Sequence, residues 1–599
     1  MIAVNRRKFL GAGAGGMGLL SLAGAMPAWA RGADILAGNA RKGLDEVSGP
    51  NIDLTVARSA FATGNRRGGA IAVNGTIPGP LLRLQEGTTV RLNVHNQLEE
   101  DTSIHWHGLL VPFQLDGVPG VSFPGVKPGE TFTAEFPVRQ SGTYWWHSHS
   151  GLQEQAGHYG AIVVDPAGPD PVQADREYIV VLSEFSAMSP HTIFDKLKKG
   201  EGYFNYHQNT WTDDYPLSGE DRRMWAKMRM MPTDILDVSS AAYTYLLNGH
   251  GPLDNLEYLF RPGERVRLRF INAGAMTFFN IRIPGLPMTI VQADGQNVEP
   301  VEVDEFQIGV AETYDVVVTP GAQQAYTLVA ESMDRSGMGI ATLASAPGAR
   351  AAIPPLRDPP LLTMADMGMS GMDHGSSGDA GMSGMDHGSG GDMAGMDHGT
   401  SGQSEMAGMS GMQMRDTSLL PPDVKVGPGL DMVSMNPVDR MGDPGIGLAD
   451  VPHRTLDYRK LRALTPHREG RTPSRRMEIH LTGNMERYMW SFDGKKFSAV
   501  SDEPIRFAYN ERVRVKLVND TMMAHPIHLH GHFFELVNGA PADRQPLKHT
   551  VILQPGGSAQ FDLTADEPGD WAFHCHLLYH MHAGMFQIVT VANPDGSEA

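Results

Sequence analysis

Along much of the chain, apolar and polar residues alternate with period two, the pattern of strands that bury one face and wet the other. ETFTAEFPV at 130–138 and SAQFDLTA at 558–565 are examples, and Gly- and Pro-rich stretches separate such runs. The pattern predicts an all-β chain of Greek-key β-sandwiches.

One alternating segment recurs. TVRLNVHN at Thr89–Asn96 returns as RVRLRFIN at 265–272 and as RVRVKLVN at 512–519, each with a Glu and a Gly or Asn close before it. Three copies imply three homologous sandwich domains, placed at 45–168, 175–348 and 471–595. The copies begin 176 and then 247 residues apart, so the extra length lies between the second and third. A tract assigned to 360–418 accounts for most of it, with residues 419–470 read as a linker. From 364 to 414 it is Gly, Ser, Met and Asp with three His, and it includes three GMDHG units. Such a composition cannot bury a core, which predicts a disordered Met-rich insertion.

Composition narrows the class. Hydrophobic residues make up 41% of 599, without an uninterrupted apolar span of membrane length, which predicts a large globular protein with no membrane span. A formal net charge of -19 disfavours nucleic acid as a partner and suits metal cations. Residues 1–30 read as an export leader: Arg6-Arg7-Lys8-Phe9-Leu10 precedes a weakly apolar Gly/Ala stretch and the small-residue cleavage pattern Ala28-Trp29-Ala30. The arginine pair resembles a twin-arginine signal, which predicts a periplasmic protein beginning near Arg31.

The single cysteine, Cys575, sits between His574 and His576 and cannot form an intramolecular disulfide, so metal chemistry is its expected work. In a strand Cys575 faces one way and both imidazoles the other, so one strand can serve two metal sites back to back. His580 and Met585 follow at intervals of five. Two His, a thiolate and a distant thioether are the ligands of a blue-copper electron-transfer centre. His105-Trp106-His107, His147-Ser148-His149 and the His528/His530 pair of HPIHLH each put two imidazoles on one strand face. His525, an odd number of residues from His528 and His530, faces the other way. The residues thus divide into His525, Cys575, His580 and Met585 for one copper and eight histidines for a cluster.

The ordered motifs HWHG, HSH, HPIHLH and HCHLLYHMHAGM resemble the copper signature of the multicopper oxidases. The resemblance implies cupredoxin-like domains and four copper ions: one type 1, one type 2 and two type 3. Carried over by motif, His105 and His528 bind the type 2 ion. His107, His147, His149, His530, His574 and His576 bind the type 3 pair. Cys575 then passes single electrons, taken up through the exposed edge of His525 or His580, to a cluster that reduces dioxygen to water. Asp116, nine residues after His107, matches the family's proton-delivering acid and reads equally as a turn residue before Gly117. A copper nitrite reductase has similar domains but would lack both the HSH pair and the HCH triplet.

The twelve methionines of the tract have almost no apolar partners, and thioethers are soft ligands that select Cu(I). Met372, His374, Met385, His387, Met396 and His398 are therefore candidates for copper recruitment, as is Met523, which fits a substrate-copper position in related cuprous oxidases. With the leader and three domains, the tract makes the chain similar to the copper-resistance (CopA/PcoA) multicopper oxidases of Gram-negative bacteria. That implies oxidation of Cu(I), and of phenols, with periplasmic copper chaperones as candidate partners. A laccase-like phenol oxidase and a non-catalytic copper-sequestering protein are the alternatives.

Two positions depart from related cuprous oxidases. Thr521 stands where an acid is expected, with Asp520 one step away, and Met581 stands where some relatives carry an acid. The central domain, lacking Cys and H-x-H, is expected to be structural, and His158 and His250 are expected to be surface or loop histidines.

Overall fold

The computed structural model describes residues 39–208, 217–228, 231–363, 365–368, 416–467, 469–497 and 503–597. The leader lies outside the described residues, as do Met372, His374, Met385, His387, Met396 and His398.

Six sheets form three consecutive pairs, each a cupredoxin-like sandwich. The repeated segment is the same structural element in all three. Thr89–Asn96 pairs parallel with Asn51–Thr63 and antiparallel with Thr131–Pro137. Val266–Asn272 does so with Arg176–Phe185 and Thr313–Val318, and Glu511–Asn519 with Arg475–Asn484 and Gly557–Ala565. The Asn that ends each copy explains its recurrence. Its side-chain oxygen accepts the amide two residues on: Leu98 at 2.8 Å, Gly274 at 3.0 Å and Thr521 at 2.9 Å. Its NH2 donates to carbonyls of neighbouring segments, which pins the strand's exit.

Cores join the sandwiches. One continuous buried cluster runs through the second and third and reaches the first through Trp145, Tyr159 and Ala161. The first keeps its own core around Trp106 and Trp146. An apolar junction of this size fixes relative domain position, as a site built across domains requires.

The segments between the second and third sandwiches are more ordered than a linker. Val438–Asp439 pairs with Gly557–Ala565, and Leu448, Leu456 and Leu461 are buried. The edge of the expected insertion is also folded: Asp366 and Met367 are buried, and Gly368 accepts from the amide of Asn436 at 2.8 Å. Apolar Leu362 and Met367 are buried here.

A buried ion cluster lies at the junction of the central and third sandwiches. Lys548 Nζ is 3.1 Å from Asp294 and 3.0 Å from Glu312, with all three side chains fully buried. Tyr458 donates to Glu312 at 2.6 Å. Asp294 also accepts the amides of His549 and Thr550, at 3.2 and 3.1 Å.

Candidate metal centre

Strand pairing builds two sites back to back. Gly569–Cys575 runs antiparallel to His525–Leu529, with Ile527 opposite Cys575 and His528 opposite His574. His580 comes from the one-turn helix Leu578–His582 that follows.

On one side, His525 Nδ1 and His580 Nδ1 lie 3.5 and 3.8 Å from Cys575 Sγ and 3.2 Å from each other. A transition-metal ion about 2.0–2.3 Å from each donor separates its donors by about 3–4 Å, so the three fit a single ion. Burial pushes the Cys575 thiol up, and a bound cation reverses that by stabilising the thiolate. Met585 is buried beside them, its amide donating to the His580 carbonyl at 3.0 Å and its own carbonyl accepting from Cys575 at 3.1 Å. Gly584 makes that return possible, with φ +126 and a position where a Cβ would come 2.6 Å from the Trp490 carbonyl.

Both histidines are held from behind. Thr521 Oγ1 lies 2.7 Å from His525 Nε2, and Asp237 Oδ2 lies 2.7 Å from His580 Nε2. Tyr488 also donates to Asp237 at 2.7 Å, and Trp490 stacks on His580 at 3.9 Å. The expected exposed histidine edge is absent, because His525 and His580 are both 0% exposed. Asp237 belongs to the central sandwich, and Phe194 of its helix Pro190–Leu197 stacks on Tyr579 at 5.7 Å. That domain is therefore part of the site as well as a spacer.

Across the strand the eight remaining histidines gather between the first and third sandwiches. Three triads bring their ligand atoms within 4.8 Å of one another: His105/His107/His528, His107/His147/His576 and His149/His530/His574. His105 and His147 are brought together by an antiparallel bridge between their backbones. Burial, then neighbouring imidazoles, hold His107, His149, His528, His530 and His576 well below the usual histidine range, and His147 likewise. Burial brings His574 down to about 4. Neutral rings offer lone pairs.

The tautomers of His105, His528, His530 and His574 are set by groups that accept. His105 Nδ1 donates to the Asp116 carbonyl at 2.7 Å, His530 Nδ1 to the Asp116 carboxylate at 2.8 Å and His528 Nδ1 to the His549 carbonyl at 2.8 Å. His574 Nδ1 donates to the Cys575 carbonyl at 3.0 Å, and His147 Nδ1 lies 2.7 Å from Glu154 and 3.2 Å from the Ser148 carbonyl. The Nε2 atoms of His105, His107, His147, His149, His528 and His576 are buried without partners. His530 Nε2 and His574 Nε2 face each other at 3.0 Å with both Nδ1 protons already committed. Two lone pairs in that position repel unless a cation lies between them, so the donor set fits metal.

The other candidates are placed as follows. Asp116 sits in the bend before Gly117, is 1% exposed and links His105 with His530. Asp520 turns away to His480 at 2.6 Å and supplies no acid to the Cys575 site. Met523 is buried, as are its neighbours Met522 and Ala524. His158 lies in the loop before Tyr159–Asp165, one of its two expected settings, but is fully buried and so no surface residue, while His250 is partly exposed. Asp237, Glu154 and Tyr488 escaped sequence reasoning, since they belong to no metal motif and only the fold carries them to the histidines.

Comparison with known proteins gives the family. Family models described as multicopper oxidase match residues 56–168, 210–347 and 470–595. Copper resistance protein A of Escherichia coli is 47% identical over 99% of this chain and 100% of its own length. A copper resistance protein A homolog of Pseudomonas syringae pv. tomato is 49% identical over 91% of this chain and 93% of its own. Among solved structures, Fet3p, a multicopper oxidase that functions in iron import, superposes with TM-score 0.62 at 17% identity, covering 91% of this chain and 90% of that one. That last likeness concerns the fold alone.

Proposed function

Since the chain belongs to the multicopper oxidase family, we propose that it couples one-electron oxidation of Cu(I), with phenols as secondary donors, to four-electron reduction of dioxygen to water. The role is copper tolerance in the periplasm, reached by twin-arginine export through Arg6-Arg7, with copper chaperones as candidate suppliers. The facing lone pairs of His530 and His574, 3.0 Å apart, carry the metal part of this reading.

His525, Cys575, His580 and Met585 would hold the type 1 copper, His105 and His528 the type 2, and His107, His147, His149, His530, His574 and His576 the type 3 pair. Bound there, four copper ions supply one-electron acceptance at the first site and dioxygen reduction at the second. Cys575 joins the two sites covalently through His574 and His576, its immediate neighbours. Asp237 and Thr521 fix the rings of His580 and His525. Asp116 fixes His105 and His530 and stands where a proton can be handed to the cluster.

The enclosure of His525 and His580 favours a small donor over a bulky one, which is why Cu(I) precedes phenols here. Oxygen uptake by the copper-loaded full chain, with Cu(I) and with a phenol as sole donors, tests the reading. The expected result is uptake with water as product and the higher kcat/KM for Cu(I). A faster phenol reaction supports the laccase-like alternative, and copper binding without uptake supports sequestration.

A further inference from the structure

Reducing dioxygen to two waters takes four protons with the four electrons, and seven of the eight cage histidines are buried, His149 being partly exposed, so side chains that reach the cage are placed to deliver protons. Among the described residues two carboxylates reach the cage: Asp116 at His105 and His530, and Glu154 at His147. Met581 offers no acid. A third carboxylate, Glu184 of Arg176–Phe185, lies behind Glu154 at the junction of the three sandwiches.

Glu184 belongs to a pocket of unsatisfied polar atoms. Its Oε1 accepts the Met276 amide at 2.8 Å, and the Ala275 amide and Thr277 hydroxyl also face the carboxylate, whose Oε2 is buried without a close hydrogen bond. Glu154 Oε1, Ser183 Oγ and Tyr579 Oη are buried and unpartnered as well. The space is shaped for the carboxyl group, because a Cβ on Gly274 would stand 2.4 Å from Glu184 Oε2. The titratable groups that sense Glu184 come from every neighbouring element: Glu154, Tyr159, Tyr243, Tyr245 and Tyr579, with no cation among them. An apolar gap would need no such atoms, whereas buried polar groups in one place hold water or a shared proton.

We infer that Glu184 is the proton store of the dioxygen-reducing site, releasing a proton by way of its buried polar neighbours Tyr579 and Glu154 to the His147 side of the cage. Each release leaves Glu184 a carboxylate, which takes up a proton originating in solvent before the next release. Four releases, or fewer if Asp116 shares the task, match the four protons consumed. The proton is held on Glu184, which contacts none of the metal-ligating side chains, while Glu154 orients His147. Burial pushes Glu184 up to about 7, which poises it to give and take protons at neutral pH.

The inference rests on the oxidase reading, and the test separates the two. Infrared spectra of the copper-free full chain at neutral pH should show the C=O stretch of a buried protonated carboxyl group. Burial raises Glu154 too, so the wild-type-minus-Glu184→Gln difference spectrum should isolate the Glu184 band, and Glu184→Asp should show it shifted. In copper-loaded protein with unchanged blue absorption, Glu184→Gln should lose about tenfold or more of its oxygen uptake, within the range for one acid–base group, with a larger solvent isotope effect. Glu184→Asp should recover part of the rate. If Glu184→Gln fails to load copper, the copper-free spectra and Glu184→Asp decide. A difference spectrum with no carboxyl band, or wild-type uptake and pH profile in Glu184→Gln, overturns the proposal. Wild-type protein without any uptake overturns the oxidase reading instead.

Discussion

Asp237 of the central sandwich accepts hydrogen bonds from two residues of the third, His580 Nε2 and Tyr488 Oη, each at 2.7 Å. The carboxylate reaches the Cys575 site from a different domain, so ring orientation at that site depends on how the domains dock. Removing it has a consequence that can be measured.

Asp237→Asn should raise the type 1 reduction potential. A carboxylate accepting from His580 makes the imidazole a stronger donor and favours the oxidised ion. Losing part of a charge-assisted bond worth about 1.5–3 kcal/mol corresponds to a rise on the order of 50 mV for one electron. Voltammetry on the purified variant reads the shift, and a fall in potential would count against a donor-strengthening role.

Cys575→Ser should abolish blue absorption and nearly all oxidase activity while type 2 copper remains, because the thiolate supplies both the colour and the link to His574 and His576. Met585→Leu should stay blue at a higher potential, since a donor that favours Cu(II) is lost. Optical and electron paramagnetic resonance spectra check both variants. A blue Cys575→Ser protein would falsify the assignment.

Lys548→Met should cost several kcal/mol, about 3–5 for a broken buried pair, because Asp294 and Glu312 stay buried without their cation. Asp294 also carries the amides of His549 and Thr550, and the His549 carbonyl holds His528, so type 2 copper should be retained less well. Thermal melts with metal analysis test this. Unchanged stability would mean that the two acids are satisfied otherwise.

Deleting residues 369–414 should leave folding, blue absorption and copper content intact, since none of the twelve proposed ligands lies within them and loops change length at small entropic cost. Oxidation of scarce or chelated Cu(I) should slow, while phenol oxidation should hold or rise. Parallel kinetics on both donors decide: equal loss on both would point to a structural role, and no loss on Cu(I) to an inert connector.

The primary structure by itself determined the all-β class, the three repeats and the histidines and cysteine that gather at the two centres. Period-two alternation and H-x-H spacing are local, and a strand converts them directly into faces. The repeated Asn was visible without its reason, which lies in backbone groups that the strand's exit brings near. Tertiary structure alone decided what surrounds the ligands. Asp237, Glu154 and Glu184 lie far in sequence from the cysteine motif and share no spacing with it, so only the docking of three sandwiches makes them neighbours of His580, His147 and Tyr579. The same docking buried the edges of His525 and His580, because exposure belongs to the packed interface and to no residue within the motif.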